Sequence, residues 1–533
     1  MGNRVIRRGL GGMMYEVFLF ADRRSTPAFW LGSLFTIAGV LLHLPMFLMA
    51  RDMNYMLAGM PMDTGMLWGM AFIIGGVAAA GYGLQPRAAS PQGLAAHEKI
   101  VPPEDAPLTP RHWAAGGALA MALVIDIMKP ASLGFVTPGM RSEYGVGQAT
   151  VALLPFCALV GTTVGSFIWG ALADLYGRRA TILLSAVMFI GTSICGAMPS
   201  FWWNLFMCFL MGAAAGGMLP VTYALLAEIM PTRHRGWSLV VVGGIGAVGG
   251  YLAASALSAW LQPVFGWRIM WFLNLPSGLI LILLSPLIPE SARFLIHIGR
   301  PQEARDTLAR FGSVIVTKAE DWDEEAKVDH SHLPPVEKRY LGITAALTIA
   351  ALSWGFVNFG LLLWLPGELI SEGRDMGVAA AIIARSSLIA APVVAVAAFL
   401  YARWSTRGAL IAMLAVTALG LVAVMLRQTG LPAVSDPLVP ISLLIIGTTG
   451  VISILLPYAA ESYPLRIRGR ATGWVAGSSK MGGLICQGLS ALAAVPAIGI
   501  AALAIAAATF ASLLLVGIYG HETRGQDLRA LER

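Results

Sequence analysis

The chain has 533 residues, of which 57% are hydrophobic and only 12% charged, with a mean hydropathy of +0.72. Soluble proteins carry about 25% charged residues, so this composition excludes a soluble globular domain. The formal net charge of +7 does not mark a nucleic-acid binder, because most of the 36 Lys and Arg fall in alternate loops that a single topology puts on one side of a membrane.

In chain order, residues 1–27 are a basic, cytoplasmic N-terminus with Arg4, Arg7, Arg8, Arg23 and Arg24. The apolar run from Ala28 to Ala50 is too long for a signal-peptide core and no small-residue cleavage site follows, so it predicts a retained helix. The run Gly65 to Leu84 returns the chain, so 28–84 is a leading pair of transmembrane helices. Residues 85–112, with Pro86, Pro91, Pro102, Pro103, Pro107 and Pro110, read as a cytoplasmic linker. Twelve further spans follow at 113–138, 149–173, 180–198, 202–229, 238–261, 267–288, 341–366, 376–400, 409–426, 437–460, 471–495 and 498–519. They divide into six-helix halves, 113–288 and 341–519, around a cytoplasmic loop at 289–340, with a cytoplasmic tail at 520–533. Since lipid offers the backbone no partners, the fold class is an all-α polytopic membrane protein with fourteen spans and both ends in the cytoplasm of a cell with a bacterial-type inner membrane. The cysteines Cys157, Cys195, Cys208 and Cys486 lie in apolar runs without metal-like spacing and read as small buried hydrophobes.

Between the second and third of the twelve spans lies Gly170-Ala-Leu-Ala-Asp174-Leu-Tyr-Gly177-Arg178-Arg179. Gly170 allows close helix approach, Gly177 a tight turn, Asp174 is an acid at the boundary, and Arg178 and Arg179 hold the turn inside. A second pattern repeats across the halves. Glu228-Ile-Met-Pro-Thr-Arg-His-Arg235-Gly matches Glu461-Ser-Tyr-Pro-Leu-Arg-Ile-Arg468-Gly in spacing, as parallel transporter halves do. Pro289-Glu-Ser-Ala-Arg-Phe-Leu and Glu522-Thr-Arg-Gly close the two halves.

These motifs resemble those of the major facilitator superfamily, in its sugar-porter and metabolite:proton symporter branch. The resemblance covers about 113–533 and implies a 6+6 fold with two helices added in front, rocking halves, and Gly170, Asp174, Gly177, Arg178, Arg179, Glu228, Arg235, Glu461 and Arg468 as gating residues. The chain departs from the pattern in three places. The turn after the eighth span, Tyr401-Ala-Arg-Trp-Ser-Thr-Arg407, lacks an acid, which predicts a weaker latch in the second half. Cys208 stands where many relatives have arginine, and Gly246-Ala-Val-Gly-Gly250 lacks the proline of drug antiporters, which favours import by symport.

Charges inside spans cost roughly 2.5–3.5 kcal/mol each on insertion scales and are usually functional or paired. Asp126 and Lys129, three residues apart on one helix face ahead of Pro130, join Arg385 and Lys480 in this class. Three cations against one acid leave a positive surplus that an organic anion would neutralise, so Lys129, Arg385, Lys480 and Asn358 are the expected carboxylate-binding residues and Asp126 the proton-coupling acid. The aromatic-acid symporters of the superfamily carry D-G-x-D in the first helix, and here Asp126 fits the first acid while Ile127 and Lys129 replace the glycine and the second acid. The expected partners are thus an organic anion, protons and the lipid bilayer, with no cofactor. Two other readings stay open. Met46, Met49, Met53, Met56, Met60, Met62, Met66 and Met70 crowd the leading pair and could capture copper, or the fold could serve a non-transporting sensor. No nucleophile–base pair or nucleotide loop supports an enzyme.

Overall fold

Backbone N–H and C=O groups find no partner in hydrocarbon, so a chain this apolar satisfies them inside helices. The computed structural model describes residues 26–86, 99–101, 107–312, 314–316, 338–431, 435–494 and 496–524. Most of the 1–27 end (residues 1–25), residues 525–533 of the tail, and much of the 85–112 linker and 289–340 loop lie outside the described residues. The leading pair is α1 (Thr26–Leu41) and α2 (Thr64–Gly83). The first half contains α3 (Pro110–Tyr144), α4 (Leu153–Tyr176), α5 (Arg178–Gly191), α6 (Phe201–Ala215), α7 (Met218–Ile229), α8 (Thr232–Phe265) and α9 (Asn274–Leu284). The second contains α10 (Leu341–Gly355), α11 (Leu362–Ser371), α12 (Met376–Ala390), α13 (Val393–Phe399), α14 (Thr406–Arg427), α15 (Leu438–Ser462), α16 (Leu465–Ala491) and α17 (Ile498–Tyr519).

Among the described residues, 13 helical stretches are long and apolar enough to cross a membrane. The fourteenth expected span is α16, whose 27 residues suffice for a crossing at 1.5 Å per residue. Its apolar character is diluted by Lys480, Gln487 and the arginines of its first turns. Several expected spans are interrupted rather than continuous. The 202–229 span breaks between α6 and α7 at Gly216-Gly217, and the 341–366 span passes through a π-helical turn, Phe356–Leu361, between α10 and α11. Outside the bundle, β1 (Lys99–Val101) of the linker pairs antiparallel with β2 (Val314–Val316) of the central loop, in the register Lys99↔Val316.

The leading pair packs through glycines spaced by seven on both helices. Gly32 faces the backbone of Gly76 and Ala80, and Gly39 faces Gly69, so a Cβ at these positions would overlap the opposite backbone. The pair joins the core of the first half, where Phe47, Met66, Ile190 and Phe272 belong to one buried cluster. Five of the clustered methionines serve this packing: Met46 and Met66 are buried, and Met60, Met62 and Met70 lie against the core. Met49, Met53 and Met56 are exposed.

The loop between α1 and α2 is fixed by a buried ion pair that the sequence reading missed. Arg268 donates to both carboxylate oxygens of Glu143, at 2.6 and 3.2 Å, and to the carbonyls of Gly196 and Met198. Glu143 also accepts the backbone N–H groups of Leu57 and Ala58 at 2.6 and 3.0 Å and the Trp267 indole N–H at 2.8 Å. One carboxylate therefore ties the leading pair to α3 and to the segment before α9. Removing one member of a buried pair costs about 3–5 kcal/mol because the other charge is left uncompensated. Glu143→Ala is expected to lower the melting temperature of the purified protein and to speed protease cutting between α1 and α2; an unchanged melting temperature would show that the hub carries no stability.

Candidate functional site

The interior charges do not sit where sequence spacing alone put them. Pro130 has no N–H to offer the Asp126 carbonyl one turn earlier, so α3 is loosened where its two charges lie. Lys129, 2% exposed, turns into the first half. Its ammonium donates to Asn274 Oδ1 and, at 2.6 Å, to Ser277 Oγ on α9, and lies 5.1 Å from the Phe189 ring centroid. Asn274 is in turn oriented by a 3.3 Å hydrogen bond to Thr192 Oγ1. Asp126 is 8% exposed, its Oδ1 is buried without a hydrogen-bond partner, and among the described residues no ion pair joins it to Lys129. The cations whose fields reach its carboxylate are Lys480, foremost, and Lys129.

Lys480 comes from α16 in the other half and reaches across the seam. Its ammonium donates to Ser166 Oγ and to the carbonyls of Thr162 and Gly216, at 3.5 and 3.4 Å. Nearby, Tyr251 Oη donates to the Asn358 carbonyl at 2.8 Å, joining α8 to the π-helical turn. Asn358 is buried, and among the described residues its side-chain amide has no hydrogen-bond partner. Arg385 is not part of this group. It is exposed on α12, on the face that also exposes Val378, Leu388 and Ile389.

At one end of the bundle the halves close against each other, with Gly236 at the start of α8 against Glu461 and Tyr401. At the other they part around a cavity of about 860 Å³, lined from the first half by Arg141 and Gln148 and from the second by Trp364, Glu368 and Ser371. That volume fits a small-molecule site.

The gating residues expected from the motifs gather at the closed end, with one substitution of role. Asp174 is exposed and makes no ion pair among the described residues. The acid that holds the turn is Glu290, which accepts the backbone N–H groups of Arg178 and Arg179 at the start of α5, at 2.7 and 3.3 Å. Gly177, at φ 94°, lies so close to the Glu290 carboxylate and Phe294 that a Cβ would collide with both. Arg178 pairs with Glu228 at 2.8 Å, and Ser291 donates to the same carboxylate. Gly170 has open space around it. Arg179 lies within the field of Glu290, Ser238 bonds the Arg235 carbonyl, and the Arg468 side chain lies outside the described residues.

The second half has its own latch, built from the tail. Glu522 accepts Ser405 Oγ, Thr406 N–H at 2.9 Å and Thr406 Oγ1 at 2.7 Å, holding the start of α14 as Glu290 holds α5. Thr523 donates to Glu461 at 2.7 Å, matching Ser291 and Glu228, and Tyr401 Oη donates to Glu461 at 2.6 Å. Glu522 thus stands to the turn at 401–407 as Glu290 stands to the turn at 174–179, and both turns are held by an acid from elsewhere in the chain. The two latch acids differ in charge stability. Burial raises the Glu290 carboxyl, with the backbone N–H groups of Ser291, Arg179 and Arg178 opposing. For Glu522 burial also works upward, but hydrogen bonds from Ser405, Thr406 and the Arg524 N–H prevail and hold it at about 2.

The family model of the Major Facilitator Superfamily matches residues 117–487. With more than half of its length matched, the chain belongs to that superfamily: it is a transporter and not an enzyme. It is 24% identical to a niacin transporter of Acinetobacter baylyi over 387 residues, 72% of this chain and 87% of the relative. It is 28% identical to a 4-hydroxybenzoate transporter of the same organism over 291 residues, 52% of this chain and 62% of the relative. In structure it resembles the proton:xylose symporter XylE with a TM-score of 0.63, at 16% identity, covering 79% of this chain and 98% of that one.

The tail latch has a pH signature. A carboxyl held below its ordinary 4.5 contributes stability that is complete above that value and is lost as pH falls toward its folded-state value. Glu522→Gln is expected to lower the melting temperature at pH 7, with the deficit against the unsubstituted protein shrinking from pH 5 to pH 3. A deficit that is constant over this range would show that the charge of Glu522 does not matter.

Proposed function

We propose that this transporter moves a small organic anion together with a proton, by alternating access, across a bacterial-type inner membrane. In this reading the end bearing the latches and both chain ends face the cytoplasm, and the cavity at Arg141 and Glu368 opens outward. The observation that carries the reading is Asp126: a buried acid with one bare oxygen, in the field of a cation from each half.

Lys129 takes both of its partners from its own half, whereas those of Lys480 lie in the opposite half, so the role of Lys129 is to fix α3 against α9. Lys480 is the cation that an anionic substrate would take, with the free amide of Asn358 as a further contact. A carboxylate adds charge–charge attraction to the charge-assisted hydrogen bond that an ammonium already makes to a neutral oxygen. Drawing Lys480 to the substrate removes countercharge from Asp126, and an uncompensated charge in a low-dielectric interior is costly. Protonation of Asp126 relieves that cost, so anion and proton are carried together. The named substrates of the two relatives, niacin and 4-hydroxybenzoate, are both carboxylic acids, which supports the substrate class. The exposed position of Arg385 among apolar neighbours favours a role for it at the bundle surface, outside the site.

In proteoliposomes, Asp126→Asn is expected to exchange labelled niacin or 4-hydroxybenzoate across the membrane but to lose accumulation driven by an inward proton gradient. Accumulation at the unsubstituted rate would make Asp126 structural and place the coupling acid elsewhere.

A further inference from the structure

The seat of Lys480 is a built feature of the other half. The segment from α6 to α7 reads Gly212-Ala-Ala-Ala-Gly216-Gly217-Met-Leu-Pro220. A helical carbonyl at Gly216 would be satisfied by the N–H four residues on, and Pro220 has none. The helix breaks there, which leaves the Gly216 carbonyl to take Ser166 Oγ at 2.8 Å and Lys480 Nζ. Glycines let α4 and α6 approach closely enough to assemble the seat: a Cβ at Gly161, Gly165, Gly212 or Gly216 would overlap the facing backbone. Broken helices that present unwound carbonyls near the middle of the bundle are how many transporters hold cations.

Every oxygen in this seat is neutral, yet the cation comes from the opposite half. Lys480 ties α16 to both α4 and α6 across the seam, and the carboxylate whose field reaches it, Asp126, has an oxygen with no partner.

We propose that Lys480 in its Ser166–Thr162–Gly216 seat is a pin that holds the two halves in the conformer with the Arg141–Glu368 cavity open, and that a carboxylate ligand releases the pin by taking the ammonium. The proposal rests on the anion-binding role given to Lys480 above. Neutral oxygens hold the ammonium firmly enough to keep the resting state. They lose it to a charged acceptor, so the halves are freed to rock when the substrate is present.

The pin can be read without substrate. Spin labels at Gln148→Cys and Ser371→Cys, exposed positions on opposite walls of the cavity, report its width. The background carries Cys157→Ala, the other three cysteines being buried. The unsubstituted protein is expected to show mainly the wide distance. Ser166→Ala removes one hydrogen bond to a charged donor, which corresponds to roughly a tenfold rise in the ratio of the narrow to the wide population. Lys480→Gln, which cannot place a charge in the seat, is expected to do the same, and Ser166→Thr, which keeps the hydroxyl, to restore the wide population. Melting temperatures identify a variant that fails to fold, in which case the other variant decides. Ser166→Ala and Lys480→Gln populations equal to those of the unsubstituted protein would overturn the pin. If transport of the two acids fails while the Ser166→Ala shift is present, the substrate reading falls and the pin stands.

Discussion

The cost of taking a charge out of water sets the terms for the buried charges of this chain, because each must be compensated by what the fold places around it. The structure answers that demand in three ways. Glu143 and Arg268 satisfy each other and use their remaining sites on backbone groups and Trp267, a closed arrangement suited to holding the leading helices in place. Lys129 is given neutral oxygens from one neighbouring helix. Asp126 is left incomplete, and Lys480, one of the two cations whose fields reach it, is lodged in a seat that belongs to the first half but is filled from the second. Satisfied charges hold the scaffold, and in the proposed function the incomplete one marks the place where a proton and an anion enter.

The same logic orders the closed end of the bundle. A helix N-terminus leaves backbone N–H groups without partners, and a carboxylate placed there satisfies them and meets the positive end of the helix dipole. Both halves use it: Glu290 at α5 and Glu522 at α14, each followed by a hydroxyl residue that reaches the acid at the end of the fourth helix of its half, Glu228 or Glu461. The internal repeat is thus physical as well as sequential. It places the acid on the segment that follows the sixth helix, so an acid in the turn itself is not needed to hold the latch.

Much of the architecture was legible from the chain because the bilayer imposes a length on apolar runs. The leading pair, the six-helix halves and the loop between them follow from that, and the repeated Glu–Pro–Arg–Gly spacing marked the segments that carry Glu228 and Glu461. What sequence could not supply is which helix packs where. Spacing put Asp126 and Lys129 on one face, but the neighbour on that face, α9, offers Asn274 and Ser277, and these claim the lysine. Depth along a helix placed Arg385 with the interior charges, whereas orientation about the helix exposes it. Asp174 fits its motif, yet the turn is held by Glu290, 112 residues from Arg178 in the chain. One missed feature had a sequence signal. Pro220 lies four residues after Gly216, and reading that spacing as a carbonyl without its helical partner would have pointed to a cation seat in the middle of the bundle.

The central claim is that the anion and the proton cross together because they share one set of charges. Proton movement measured directly in weakly buffered proteoliposomes tests this, with 4-hydroxybenzoate added outside, no pH gradient imposed, and protein-free liposomes subtracted. The account predicts a rise in external pH that starts with anion uptake and saturates with it. Uptake of the anion through the protein with no accompanying proton movement would contradict it.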